Sequence, residues 1–272
     1  MSRAGRWRLA LRLAPLASCV WLFLCLSVVE HDANGSREYA AAREQLDALL
    51  VERLPRADQS EQEREDQRTR SARALERFAE ALHWPPTLRS EAAFRAGELW
   101  RAAGDDRAAL ECFRRAREQG MGTRFRTRAI LELGHVHRRA ERWSLALDAY
   151  YELAHTADAR ASDRDAALYW SGVVCSELNQ VAAARRAWRH VARNAERPLD
   201  RVRAYDKWAL LEFNFGNPQV ARDVLAVCDA ELKAAALEDT TLGASVHAAL
   251  MRMRSRTALA PRRRDDGGEE SR

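Results

Sequence analysis

A small residue returns at nearly fixed intervals through the middle of this 272-residue chain. Gly97, Gly134, Gly172 and Ala209 are 37, 38 and 37 positions apart, and each sits in the same local pattern. The first unit has Ala93, Ala96, Gly97 and Trp100, then Gly104, Ala109, Phe113 and Ala116. The second has Ile130, Leu133, Gly134 and His137, then Ala146, Tyr150 and Leu153. Leu168, Ser171, Gly172, Cys175, Ala184, Trp188 and Val191 make the third, and Tyr205, Trp208, Ala209, Glu212, Gly216, Ala221, Leu225 and Cys228 the fourth. Each half-unit is apolar at i, i+3, i+4 and i+7, the spacing of one face of a helix. One such helix pair cannot bury its own apolar face, so the units have to stack on one another.

Composition agrees with an all-α chain. Glycine and proline together are 19 of 272 residues, too few for the frequent tight turns of a β-sandwich or barrel. Ala, Leu, Arg and Glu dominate, and all four favour helix. Small Ala109, Ala146, Ala184 and Ala221 mark the second helix of each unit. Large Phe113, Tyr150, Trp188 and Leu225 follow four places on, one turn along the same face, and are expected to fill the space between adjacent units. Gly104 and Gly216 fall between the helices of their units, where a left-handed or turn residue is wanted.

The pattern resembles the tetratricopeptide repeat family over residues 90–228. The family period is about 34 residues, and the extra residues here lengthen the connections. A fainter unit precedes: Ala74, Phe78, Ala81 and Pro86 fit the family's second helix and closing proline, while 56–70 is too polar to supply its first helix. The resemblance implies a right-handed superhelical stack of antiparallel helix pairs, a TPR-like α-solenoid, with the first helix of each unit lining an inner groove. It also implies that the groove positions are Phe94, Glu98 and Arg101 in the first unit and Leu131, His135 and Arg138 in the second. They are Tyr169, Val173 and Ser176 in the third, and Asp206, Leu210 and Phe213 in the fourth. Such a strip suits a peptide with apolar anchors and an acidic group held by Arg forks. Some members of the family hold a peptide's terminal carboxylate with Lys and Asn. The Asn places here are Glu98, His135, Val173 and Leu210, which speaks against a receptor of that kind.

The flanks read differently. Residues 1–29 contain Arg3, Arg6, Arg8 and Arg12 before an apolar run from Leu13 to Val29, the layout of a signal peptide or an uncleaved anchor. The positive-inside rule leaves the remainder on the far side of a cytoplasmic membrane, which for a bacterial protein is the periplasm. Leu16-Ala17-Ser18-Cys19 also fits a lipid-attachment box, although the residues after it stay apolar. Asn34-Gly35-Ser36 matches a glycosylation sequon. Residues 30–70 are expected to hold a helix over 37–54, with Tyr39, Leu46, Leu49 and Leu50 on one side, and a charged linker or exposed helix over 56–70. The repeat domain spans 71–257. It opens with a helix over 71–83 that Pro85 and Pro86 terminate. A helix over 239–257, carrying Leu242, Val246, Ala249, Leu250 and Met253, caps its other end. Residues 258–272 are too polar to bury a core and are expected to be disordered.

Charge and motif content narrow the function. Of the net charge of +5, residues 1–29 hold +4 and 261–272 hold none, leaving +1 for the body. That is no basic stripe for nucleic acid. Cys112, Cys175 and Cys228 are odd in number, widely spaced and free of any C-x-x-C, so they are expected to be buried fillers. No phosphate loop, metalloprotease helix or nucleophile elbow is present. His135 and His137 diverge by about 200° on a helix, so a shared metal is not expected. The expectation is a non-catalytic interaction scaffold, exported or membrane-tethered, with a protein or peptide partner, no cofactor and no metal. The alternative is a structural subunit that self-associates or docks in a membrane complex.

Overall fold

The computed structural model describes residues 36–54 and 58–234, with isolated positions beyond. The leader 1–29, Cys19, Asn34 and Gly35 of the sequon, and the tail 258–272 lie outside the described residues, as does nearly all of the proposed capping helix. Described residues form helices joined by short turns: α1 (36–52), α2 (Glu61–Glu80), α3 (Pro86–Ala102), α4 (Asp106–Gln119), α5 (Arg124–Arg139), α6 (Trp143–Ala154), α7 (Ala161–Glu177), α8 (Val181–Asn194), α9 (Pro198–Phe215) and α10 (Pro218–Ala234). None of them is long and apolar enough to cross a membrane. The pairs α3/α4, α5/α6, α7/α8 and α9/α10 fall in the register set by the repeat.

Local chemistry starts these helices where they start. Ser60 caps α2 in a reciprocal box: its backbone N–H donates to Glu63 at 2.7 Å while its Oγ accepts from the Glu63 N–H. Asp105 accepts from Ala108 N–H at 2.9 Å to open α4, and Thr123 does the same for α5. Proline occupies the first position of α3 and α9, where its missing N–H costs nothing. Gly104 turns the chain between α3 and α4 at φ +81°. The equivalent places in the next two turns are Glu141 (φ 55°) and Asn179 (φ 56°), so the left-handed bend is kept where glycine is not. Gly216 is the turn residue expected between α9 and α10, but at φ −128° it is not left-handed. A Cβ there would run into the Glu212 side chain, so closeness rather than handedness selects glycine.

Two compact units make up the chain, Met1–Met121 and Gly122–Arg272. In the first, α3 packs on α2 and α4. Helix α1 joins them: Ala42 and Leu46 are fully buried, and Arg43 reaches Glu91 of α3 at 2.7 Å. Gln67 of α2 donates to the carbonyls of Glu52 and Leu54. The stretch 56–70 is therefore no free linker. Its second half is the exposed start of one long helix, α2, and the partner of α2 is α1. In the second unit each helix packs on the next from α5 to α10, while α5 also touches α7 and α7 touches α9. First helices thus lie close together on one side, and α6, α8 and α10 spread on the other.

Three of the aromatic residues meet the first helix of their own unit, and Trp188 also packs against the next unit, as the spacing predicts. A Cβ on Gly97 would come within 2.6 Å of the Phe113 ring, and one on Gly172 within 2.7 Å of Trp188 Nε1; at Gly134 it would strike Tyr150. In each case the ring of the second helix occupies the space beside the small residue of its own first helix, which lets the two axes approach. In the last unit Ala209 and Leu225 are both buried. Cys112, Cys175 and Cys228 are reduced and buried, and burial pushes all three thiols up, Cys228 to about 12.

Candidate functional site

Half-buried apolar and aromatic side chains gather on the first helices of the second unit, α5, α7 and α9, with Leu210 and Phe215 of α9 exposed. On α5, Leu131, His135 and Arg138 are half-buried along one edge. His135 Nδ1 lies 2.9 Å from the Tyr150 hydroxyl, a phenol that burial pushes up. The His135 ring meets Trp170 of α7 edge-on at 5.0 Å, and the Arg138 guanidinium stacks 4.6 Å above the same indole. Tyr169 stands perpendicular to Trp170 at 5.3 Å. The α5–α7 seam is thus a packed aromatic and cationic cluster. Arg138, expected to orient a partner, is committed to the Trp170 face.

The α7–α9 furrow is more open and divides into two clefts about one helical turn apart. One, of about 330 Å³, lies between Asp165, Tyr169, Trp170, Arg197, Asp200 and Arg203. Arg197 pairs with Asp200 at 2.7 Å, and burial raises Asp165 above its ordinary range. The other, of about 170 Å³, is walled by Val173 and Ser176 of α7 and by Lys207, Leu210, Asn214 and Phe215 of α9. Leu210 is 38% exposed and Phe215 60%. The edge of Trp188 reaches its floor, held by a 3.1 Å hydrogen bond from its Nε1 to the Tyr169 carbonyl. Tyr169, Val173 and Phe213 keep one side against the core of this unit. The second cleft can seat an apolar side chain and offer its neighbour an ammonium.

Six expected residues, His135, Arg138, Tyr169, Val173, Ser176 and Leu210, thus lie at the α5–α7 seam or along the α7–α9 furrow. Leu131 and Phe213 flank them. Phe94 is a correction: it is completely buried, 5.7 Å from Phe113, and presents nothing to a partner. Glu98 pairs with Arg95 at 2.8 Å and more distantly with Arg53, and Arg101 is half-buried. Trp170, Lys207, Asn214 and Phe215 were not expected. Trp170 did leave a signal, since the same place in the other units holds Arg95, Glu132 and Lys207. A tryptophan in an otherwise charged register marks a departure from the solvated surface.

Among the described residues no group of His, Cys, Asp or Glu is arranged to hold a metal. No family model matches the chain, and no curated protein sequence matches it. Solved structures do. A kinesin light chain-like protein of Podosopora anserina, built of nearly identical TPR-like repeats, superposes with a TM-score of 0.51 at 15% identity, over 71% of this chain and 95% of that one. A single-residue variant of it gives 0.51 at 14% identity, over 70% and 93%. BtubC (BKLC) from P. vanneervenii gives 0.50 at 14% identity, over 85% and 93%. The fold is that of TPR-like repeats. At these identities the likeness is one of architecture, and fold alone does not give function.

Proposed function

We propose that the protein is a non-catalytic scaffold that binds a protein or peptide segment along the α7–α9 furrow, and that residues 1–29 tether it to a membrane or direct its export. One observation carries the reading. Leu210 and Phe215 stay exposed beside Lys207 in a furrow whose α5–α7 neighbour is closed by its own aromatic residues. An extended or helical segment would lay an apolar anchor between Val173 and Leu210, with Lys207 meeting an acidic group beside it. The side chains of the site face outward from rigid helices, so binding needs little reordering of the scaffold. The export reading rests on the four arginines that precede an apolar run.

Affinity capture from native membranes with the intact chain, read by mass spectrometry, tests both parts. The unaltered chain should retain a partner that the Leu210→Asp, Phe215→Asp double variant loses while keeping its circular dichroism. Equal capture by the two would remove the furrow from consideration. The mass of the recovered bait reports whether the leader is kept, cut or lipidated. Recovery of the chain mainly with copies of itself would favour a self-associating subunit.

A further inference from the structure

The opposite side of the second unit carries a second furrow, between α8 and α10. Both helices pack on α9, and where they spread the outward face of α9 forms a floor. Tyr205 and Trp208 make that floor, their rings nearly parallel at 6.3 Å. The space above it is about 370 Å³. On the α10 wall are valines, with Val227 44% exposed. On the α8 wall, the guanidiniums of Arg189 and Arg193 stand 5.9 and 5.7 Å from the Trp208 ring.

Charge distinguishes this furrow. Arg185, one turn before Arg189, is fixed by Glu212, and Arg201 is fixed by Glu231. Arg189 and Arg193 form no ion pair among the described residues. Asp223, the acid on the rim, accepts from Gln219 at 3.0 Å. One repeat earlier, the place of Arg189 is held by Tyr151, a neutral side chain 44% exposed. Both positions are exposed, and the second carries a positive charge where the first carries none. Two arginines four residues apart lie side by side on a helix, over an aromatic surface that water wets poorly.

We propose that the α8–α10 furrow is a second docking site, whose occupant is a peptide segment with an aliphatic or aromatic side chain flanked by carboxylates. The apolar group rests on Trp208 between the valines, and the carboxylates meet the Arg189 and Arg193 forks.

The test uses the full chain and two blocked tetrapeptides, acetyl-Asp-Leu-Phe-Asp-amide and its Lys-Leu-Phe-Lys counterpart. The Trp208 indole N–H, which donates to Glu212 at 3.0 Å, gives an NMR signal assigned by its loss in Trp208→Phe. The acidic peptide should move it with at least tenfold lower Kd than the basic one. The Arg189→Glu, Arg193→Glu variant, altered only at exposed positions of α8, should reverse that order with an unchanged urea midpoint. Leu210→Asp, which disables the other furrow, should leave it intact. An unmoved signal, equal response to both peptides, or an acidic preference that survives charge reversal would overturn the proposal. Binding of phosphatidylglycerol vesicles through Arg189 and Arg193, without response to the acidic peptide, would overturn it in favour of a lipid surface.

Discussion

Gly172 and Trp188 show how closely single residues set the spacing of this fold. The indole lies where a Cβ would stand, and its Nε1 is engaged with the Tyr169 carbonyl. Gly172→Ala must push the ring aside and strain that bond. The expected cost is about 1–3 kcal/mol, the usual range for overpacking a core. Trp188→Phe removes the nitrogen-bearing edge of the ring, so the double variant should cost less than the sum of the two singles. Urea unfolding of the four proteins measures the difference, and strict additivity would show that the close approach is not what limits the site. This pairing was half legible in sequence. The small and large residues stand out at a fixed offset, but spacing alone does not say whether a ring turns toward its own unit or its neighbour. Phe94 failed as a groove residue for a related reason. Its place in the repeat matches Leu131 and Tyr169, yet in the first unit the ring turns under Phe113.

At the scale of the element, the pair that joins α8 to α9 makes stability depend on acid. Burial alone would raise the Glu212 carboxyl. Arg185, at 2.5 and 3.1 Å, and the Trp208 indole hold it below its ordinary range instead. Because the folded group ionises at lower pH than the unfolded one, its contribution is complete above the unfolded value of about 4.3. It drains away as pH falls through the folded value. Glu212→Gln should cost about 1–3 kcal/mol at pH 7, and the gap from the unaltered chain should narrow toward pH 3. Urea midpoints at the two pH values check this; a gap independent of pH would mean the carboxylate charge is not what is being used. Element boundaries also show where sequence reading stopped. The eight helices from α3 to α10 follow from the period. The pairing of α1 with α2 did not, because residues 53–60 lengthen their connection and α2 runs to 20 residues, against 14 for α4. Both changes throw the first pair out of phase with the repeat.

The whole molecule divides after Met121, and the candidate furrows lie entirely in the second unit. A fragment of residues 122–272 should therefore be helical by circular dichroism and keep the affinity of the full chain for a segment captured along α7–α9. The complementary fragment, residues 1–121, should not bind it. Loss of binding in the first fragment despite retained helicity would show that the site draws on residues outside the second unit. Repeat stability is a sum of local terms, so each piece can be judged by its own unfolding curve.

The three sulfhydryls have a consequence of their own. These are the three of the chain's five cysteines that fall among the described residues; none of them forms a disulfide, all are buried, and burial suppresses their ionisation. Cys112 lies in one half of the chain and Cys175 and Cys228 in the other, so an alkylating reagent would tag whichever half opens first, and these atoms serve as a resident gauge of breathing in each.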